Sequence, residues 1–176
     1  MMAAKKWVKF PHTSAAYDYA GAKLAKAWDR LHAGDQEDFP DKKHVAALQK
    51  RYPKLKEAGD AEAISIALQD AWRDFHRGEF QKAAEAGEGL GVIGATVANK
   101  AEGIYATYLA KEADRGAHFE RCARRAEAAI SGDAGRGQRA LLPRLRTGSL
   151  QPDDLDHQGA RLKGWAARSG RAWNVR

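Results

Sequence analysis

The chain has a single cysteine, Cys122, among 176 residues. No intrachain disulfide can form, a cysteine-rich zinc site cannot be assembled, and a reducing compartment suits such a chain. β-Branched residues are sparse and alanine is abundant, a balance that disfavours strands and favours helices. Long apolar runs are missing too. The longest stretch of low charge, residues 89–99, covers only half of the ~20 residues a membrane-spanning helix needs, and it holds three glycines. The basic start at Lys5 and Lys6 runs into Lys9, Pro11 and His12 without the apolar core of a signal peptide. No membrane is expected as a partner, and the expected location is cytoplasmic.

Chemistry-bearing patterns are equally scarce. His12, His32, His44, His76, His118 and His157 form neither an H-x3-H pair nor H-E-x-x-H, so no metal is expected. No paired carboxylates and no Ser/His/Asp set stand out, and the expectation is a protein without cofactor or catalysis. The net charge of +7 is unevenly placed: residues 1–130 hold 21 Lys+Arg against 19 Asp+Glu, and residues 131–176 hold 9 against 4. The basicity belongs to the tail, which argues against nucleic acid as the main partner of the helical part.

What is present is helical periodicity. Ser14 to His32 carries Tyr17, Leu24, Trp28 and Leu31 on one face. Asp41 reads as the N-cap of a helix bearing Val45, Leu48 and Tyr52, limited or kinked at Pro53. After Gly59-Asp60 a stronger helix runs to Arg77 on Ile64, Leu68, Ala71, Trp72 and Phe75, and Gly78 closes it. Phe80 to Ala86 opens its antiparallel partner. Past the glycines at 87, 89, 91 and 94, Ala95 to Lys111 and Ala117 to Ile130 form another pair, the second with Phe119, Cys122, Ala123, Ala126 and Ile130 along it. The fold class is all-α: a helical domain over 1–130 and a basic Gly/Arg-rich tail of low order over 131–176.

One motif occurs twice. Residues 27–35, A-W-D-R-L-H-A-G-D, match residues 71–79, A-W-R-D-F-H-R-G-E, as A-W-charged-charged-apolar-H-x-G-acidic at an offset of 44. At Phe75-His76-Arg77-Gly78-Glu79-Phe80-Gln81-Lys82-Ala83 the chain resembles the tetratricopeptide repeat, whose first helix ends in aromatic-x-x-Gly-acidic-aromatic and whose second packs a small residue three positions later. Residues 95–130 resemble a second, degenerate pair, with Ala101 and Tyr105 in the expected relation. The arrangement is similar to bacterial proteins of this type. It departs from them in the glycine-rich stretch 87–94, in the missing terminal proline, and in an offset longer than the usual ~34. The resemblance implies antiparallel helix pairs stacked as a short α-solenoid, a scaffold or adaptor for a protein or peptide partner. Groove residues would come from first helices, making Asn99, Glu102 and Tyr105 the candidates; alternatively all three pack internally or sit in solvent. An array that ends without a polar cap also leaves an apolar face open to self-association.

From Ser131 the composition changes abruptly. One account is a basic extension; the other is a shifted reading frame. Written in GC-rich synonymous codons and read one base later, the segment from Asp133 gives M-P-D-A-A-S-A-H-Y-F-R-A-Y-A-L-G-R-Y, similar to the first helix of a further tetratricopeptide unit. If the tail is genuine, Arg136, Arg139, Arg144 and Arg146 could contact phosphate and Trp165 and Trp173 could stack on bases, the alternative functional reading.

The remaining motifs have plainer readings. Gly89-Leu90-Gly91-Val92-Ile93-Gly94 fits G-x-G-x-x-G, with Glu112 at the distance of a ribose-binding acid, but a helix and not a strand precedes it, so an inter-helix loop is expected. His32 and His76 stand near helix C-termini, where a cap is expected, and Cys122 reads as apolar filler. Lys5, Lys6, Trp7, Lys9 and Phe10 are expected to dock an N-terminal segment onto the first helix.

Overall fold

The computed structural model describes residues 6–52, 55 and 59–132, all within one unit, Met1–Pro143. The described residues form α1 (Lys23–Leu31), α2 (Lys42–Arg51), α3 (Ala61–Arg77), α4 (Phe80–Gly89), α5 (Ala95–Tyr108) and α6 (Glu112–Gly132), with 3-10 turns at Ala15–Tyr17 and Gly91–Gly94 and no strand among them. No helix there is long and apolar enough to cross a membrane. From α2 onward each helix packs on the next.

Helix ends follow from side-chain chemistry. The Asp41 carboxylate accepts from the His44 N–H at 2.6 Å, and Asp60 accepts from the N–H groups of Glu62 and Ala63, satisfying donors that the first turn leaves open. Gly78, at φ 86°, ends α3: its N–H donates to Phe75 O and the Glu79 N–H to Asp74 O, the paired bonds of a left-handed cap.

Two differences from the sequence expectation have local causes. The helix expected over 14–32 is split, because Gly21 takes φ 56° and only the 3-10 turn precedes it, so α1 starts at Lys23. α6 starts at Glu112, five residues before the expected Ala117, since Gly116 stands in open space and is carried within the helix. α6 runs two residues past the expected boundary after Ile130, to Gly132, and the segment at Pro53 and residues 133–176 lie outside the described residues.

α3 organises the unit. Its Ile64, Leu68, Ala71 and Trp72 bury against Leu24 and Trp28 of α1, Val45 of α2 and Val97 of α5. Its polar side chains hold the connections: Ser65 Oγ donates to Pro40 O at 2.9 Å, and Arg73 donates to the carbonyls of Tyr19 and Gly21. A second core joins Phe80, Ala83 and Ala84 of α4 to Ala101 and Tyr105 of α5.

Between α4 and α5 the backbones touch. A Cβ on Gly87 would sit 2.7 Å from the Gly94 carbonyl oxygen, and one on Gly94 would overlap the Gly87 carbonyl. One of the six positions from 89 to 94 that resemble a phosphate loop therefore serves another end, since Gly94 allows close packing, and the run joins the last residue of α4 to a 3-10 turn between helices. Glu112 begins α6 and is exposed.

Candidate functional site

The repeated motif builds a cluster of aromatic and polar side chains in the interior. In each copy Trp and His stand four residues apart, on one helical face. Trp28 stacks on His32 with centroids 4.0 Å apart, Trp72 lies parallel to His76 at 5.9 Å, and the two indoles meet edge to face at 5.5 Å. The copies thus face each other, and the Nε2 atoms of His32 and His76 come within 3.2 Å.

Proton placement follows from what each partner can do. Asp35 can only accept, so Nδ1 of His32, 3.1 Å away, carries a proton. Nε2 of the neutral His32 then accepts from Nε2–H of His76. Burial pushes both imidazoles down to about 3, with the Lys100 charge acting further on His32 and His32 acting on His76. Both rings are neutral at pH 7, so the expected role of a charged cap at the helix dipole does not apply.

Around this pair lies a mixed-charge rim. Lys100 of α5 donates to the Asp35 carboxylate, stands 4.0 Å from Glu37 Oε2, and lies 5.2 Å from the centre of the Trp72 ring. Burial lowers Lys100 to about 8; burial and then Asp38 raise Glu37 to about 7. Trp28 Nε1–H donates to the Glu37 carbonyl at 2.7 Å and so fixes this loop on the indole. The adjoining cleft, with Glu37, Asp38 and His44 at its rim and Leu68, Trp72 and Val97 in its wall, encloses about 80 Å³. Ligand pockets typically offer ~300–1,000 Å³.

The three candidate groove residues share one face of α5, and that face is covered. Glu102 is 1 % exposed and accepts from Arg121 Nε at 2.7 Å and Arg125 Nη2 at 2.6 Å, with His118 Nδ1 2.8 Å away. Burial alone would raise its carboxyl; the hydrogen bonds from Arg125, His118 and Arg121 outweigh it and hold the group below its ordinary value. Asn99 accepts from Arg125 Nη1 and donates to Cys122 O. His118, Arg121 and Arg125, at i, i+3 and i+7, are a signal the sequence carries, but their common target is not written beside them. Cys122, half-buried beside them, has its thiol pushed up to about 11, chiefly by burial.

Tyr105 is covered by the N-terminal segment, which docks on α4, α5 and α6 and not on the first helix. Trp7 stacks on Tyr105 at 4.2 Å and meets His118 edge-on at 5.1 Å. Phe10 packs edge-on against Phe80 at 5.6 Å and lies over Gly78, where any Cβ would strike its ring. The Trp7 N–H donates to Gln81 Oε1 at 2.9 Å and the Val8 N–H to Tyr105 Oη at 3.2 Å. The glycine that ends α3 therefore has a second task that the repeat-like pattern alone does not reveal.

Among the described residues no group of three or more His, Cys, Asp or Glu side chains is arranged to hold a metal. Arg136, Arg139, Arg144, Arg146, His157, Trp165 and Trp173 lie outside the described residues. No family model matches this sequence, and neither a curated protein nor a solved structure matches it significantly.

Proposed function

We propose that the chain is a non-catalytic helical-repeat scaffold that binds a protein or peptide partner in the cytoplasm. In this reading α3–α4 and α5–α6 are antiparallel pairs stacked as a short tetratricopeptide-like solenoid. The observation that carries it is the N-terminal segment: the helical surface holds a non-helical stretch of chain by ring stacking and by side chains that accept from its backbone N–H groups. Aromatic-lined surfaces and hydrogen bonds to the main chain are recurring means of peptide recognition. The buried polar groups of α1, α3 and α5 are bonded to one another across helices, which suits a framework that fixes register.

The rival reading is a nucleic-acid-binding protein acting through residues 131–176, favoured by their 9 Lys+Arg against 4 Asp+Glu. Affinity capture from lysate with the full chain and with a chain ending at Ile130 separates the two. The scaffold reading expects the same protein partner with both. Recovery of nucleic acid by the full chain alone, lost as salt is raised, overturns it.

A further inference from the structure

We propose that the strip formed by Gly78, Phe80, Gln81, Tyr105 and His118 is a docking site for an extended peptide with aromatic side chains three residues apart, and that Trp7-Val8-Lys9-Phe10 is its resident, displaceable occupant. The inference rests on the scaffold reading and names the surface and partner class within it.

The geometry of the resident segment defines the ligand. Only Trp7 and Phe10 turn inward; Lys6, Val8 and Lys9 are exposed, Val8 to 58 %. Two rings at positions i and i+3 of a non-helical segment therefore carry the contact, and the residues between them are free to vary. The Trp7 ring lies on the face of Tyr105 and meets His118 edge to face, and the Phe10 ring fits the gap that a residue without a Cβ leaves at position 78. Backbone recognition adds direction. Gln81 is oriented by its own Nε2–H donating to Glu85 Oε1 at 2.8 Å, which leaves Oε1 facing the Trp7 N–H. Tyr105 Oη takes the next N–H along. A ligand must offer two consecutive N–H groups starting at its first aromatic residue, so proline is excluded from both positions.

The hold is also of a kind that can be released. The segment makes two backbone hydrogen bonds, both to side chains and neither to a strand or helix ladder, and its stability comes from two rings. Tethering substitutes for affinity: a short linker supplies an effective concentration in the ~mM range, enough to keep weak competitors out. A peptide with a better ring pair or higher local concentration takes the same place, and the N-terminus is then set free.

The test uses the full chain and a labelled synthetic peptide, K-K-W-V-K-F-P-H, followed by fluorescence anisotropy. The double variant W7A/F10A vacates the site and should bind this peptide about tenfold more tightly than the unaltered chain, because a site occupied nine-tenths of the time loses that factor in apparent affinity. The same peptide with alanine for both rings should bind neither protein. No gain in a variant whose far-UV circular dichroism is unchanged overturns the proposal. Should the variant lose helix, the unaltered chain decides: with fluorinated tryptophan in its five positions, excess peptide should move the Trp7 resonance, assigned through W7F, to that of a solvated indole. A Trp7 resonance unmoved by peptide overturns the proposal. So does a doubling of mass by light scattering without peptide binding, which would make a second copy the occupant. Because the probe is a defined peptide, failure here is distinct from failure to capture a partner from lysate.

Discussion

His32 and His76 are 44 residues apart in the chain and 3.2 Å apart at their Nε2 atoms, and 44 is also the offset of the repeated motif. Equivalent residues of the two copies meet, so the duplication is expressed as a buried contact between α1 and α3. The two copies are not used alike. Asp35, the last residue of the first copy, binds His32 and Lys100, whereas its counterpart Glu79 is exposed.

The histidine pair sets the acid response. Both imidazoles are held neutral in the folded chain, lowered from 6.5 to about 3, so the unfolded chain binds more protons between those values. Stability should therefore be complete above pH 6.5 and fall as pH drops toward 3, by on the order of a few kcal/mol. Glu37, raised from 4.5 to about 7, works the opposite way between those values, one proton against two. Urea midpoints measured from pH 7.5 down to pH 4 should decrease; a flat profile would show that the two rings are solvated.

Glu102→Ala leaves Arg125 beside Asn99 without its carboxylate, and Arg121 loses the same partner. Removing one member of a buried ion pair typically costs about 3–5 kcal/mol. The loss should appear in denaturant unfolding, while the exposed Glu88→Ala should cost less than 1 kcal/mol by the usual value of surface pairs.

Gly87→Ala and Gly94→Ala each drive a methyl group into the facing backbone, and neither carbonyl can swing aside as a side chain would. Thermal unfolding should show each destabilised by about 1–3 kcal/mol. Gly89→Ala, two residues from Gly87 with open space around it, should be neutral or better.

Cys122 should resist alkylation in the folded chain. Its thiol is raised to about 11 and half-buried, so little thiolate exists at pH 8 and what exists is shielded. Iodoacetamide labelling followed by mass spectrometry should be slow in buffer and fast in urea; equal rates would place the residue on an open surface.

Much of this architecture was legible in the chain itself. α3 could be bounded at both ends from Asp60 and Gly78, because a capping carboxylate and a left-handed glycine act through neighbours only a few residues away. The break at Gly21 was less visible, since the apolar spacing of Leu24, Trp28 and Leu31 continues smoothly back to Tyr17 while the backbone does not. Asn99, Glu102 and Tyr105 recur at a spacing of three and so share one side of α5. What covers them was not legible: Val8 reaches Tyr105 across 97 residues and Arg125 reaches Asn99 across 26, and no local pattern records such pairings. The His32–His76 contact was hidden for the same reason, although both halves of the motif could be read.

The perpendicular arrangement of Trp28 and Trp72 gives the protein an optical signature. Two indoles whose centres lie 5.5 Å apart at 89°, one on α1 and one on α3, have transitions close enough to couple and oriented differently enough to be chiral. The near-ultraviolet circular dichroism of the chain should therefore carry a band that exists only while those two helices are joined, a reporter of assembly that requires no label.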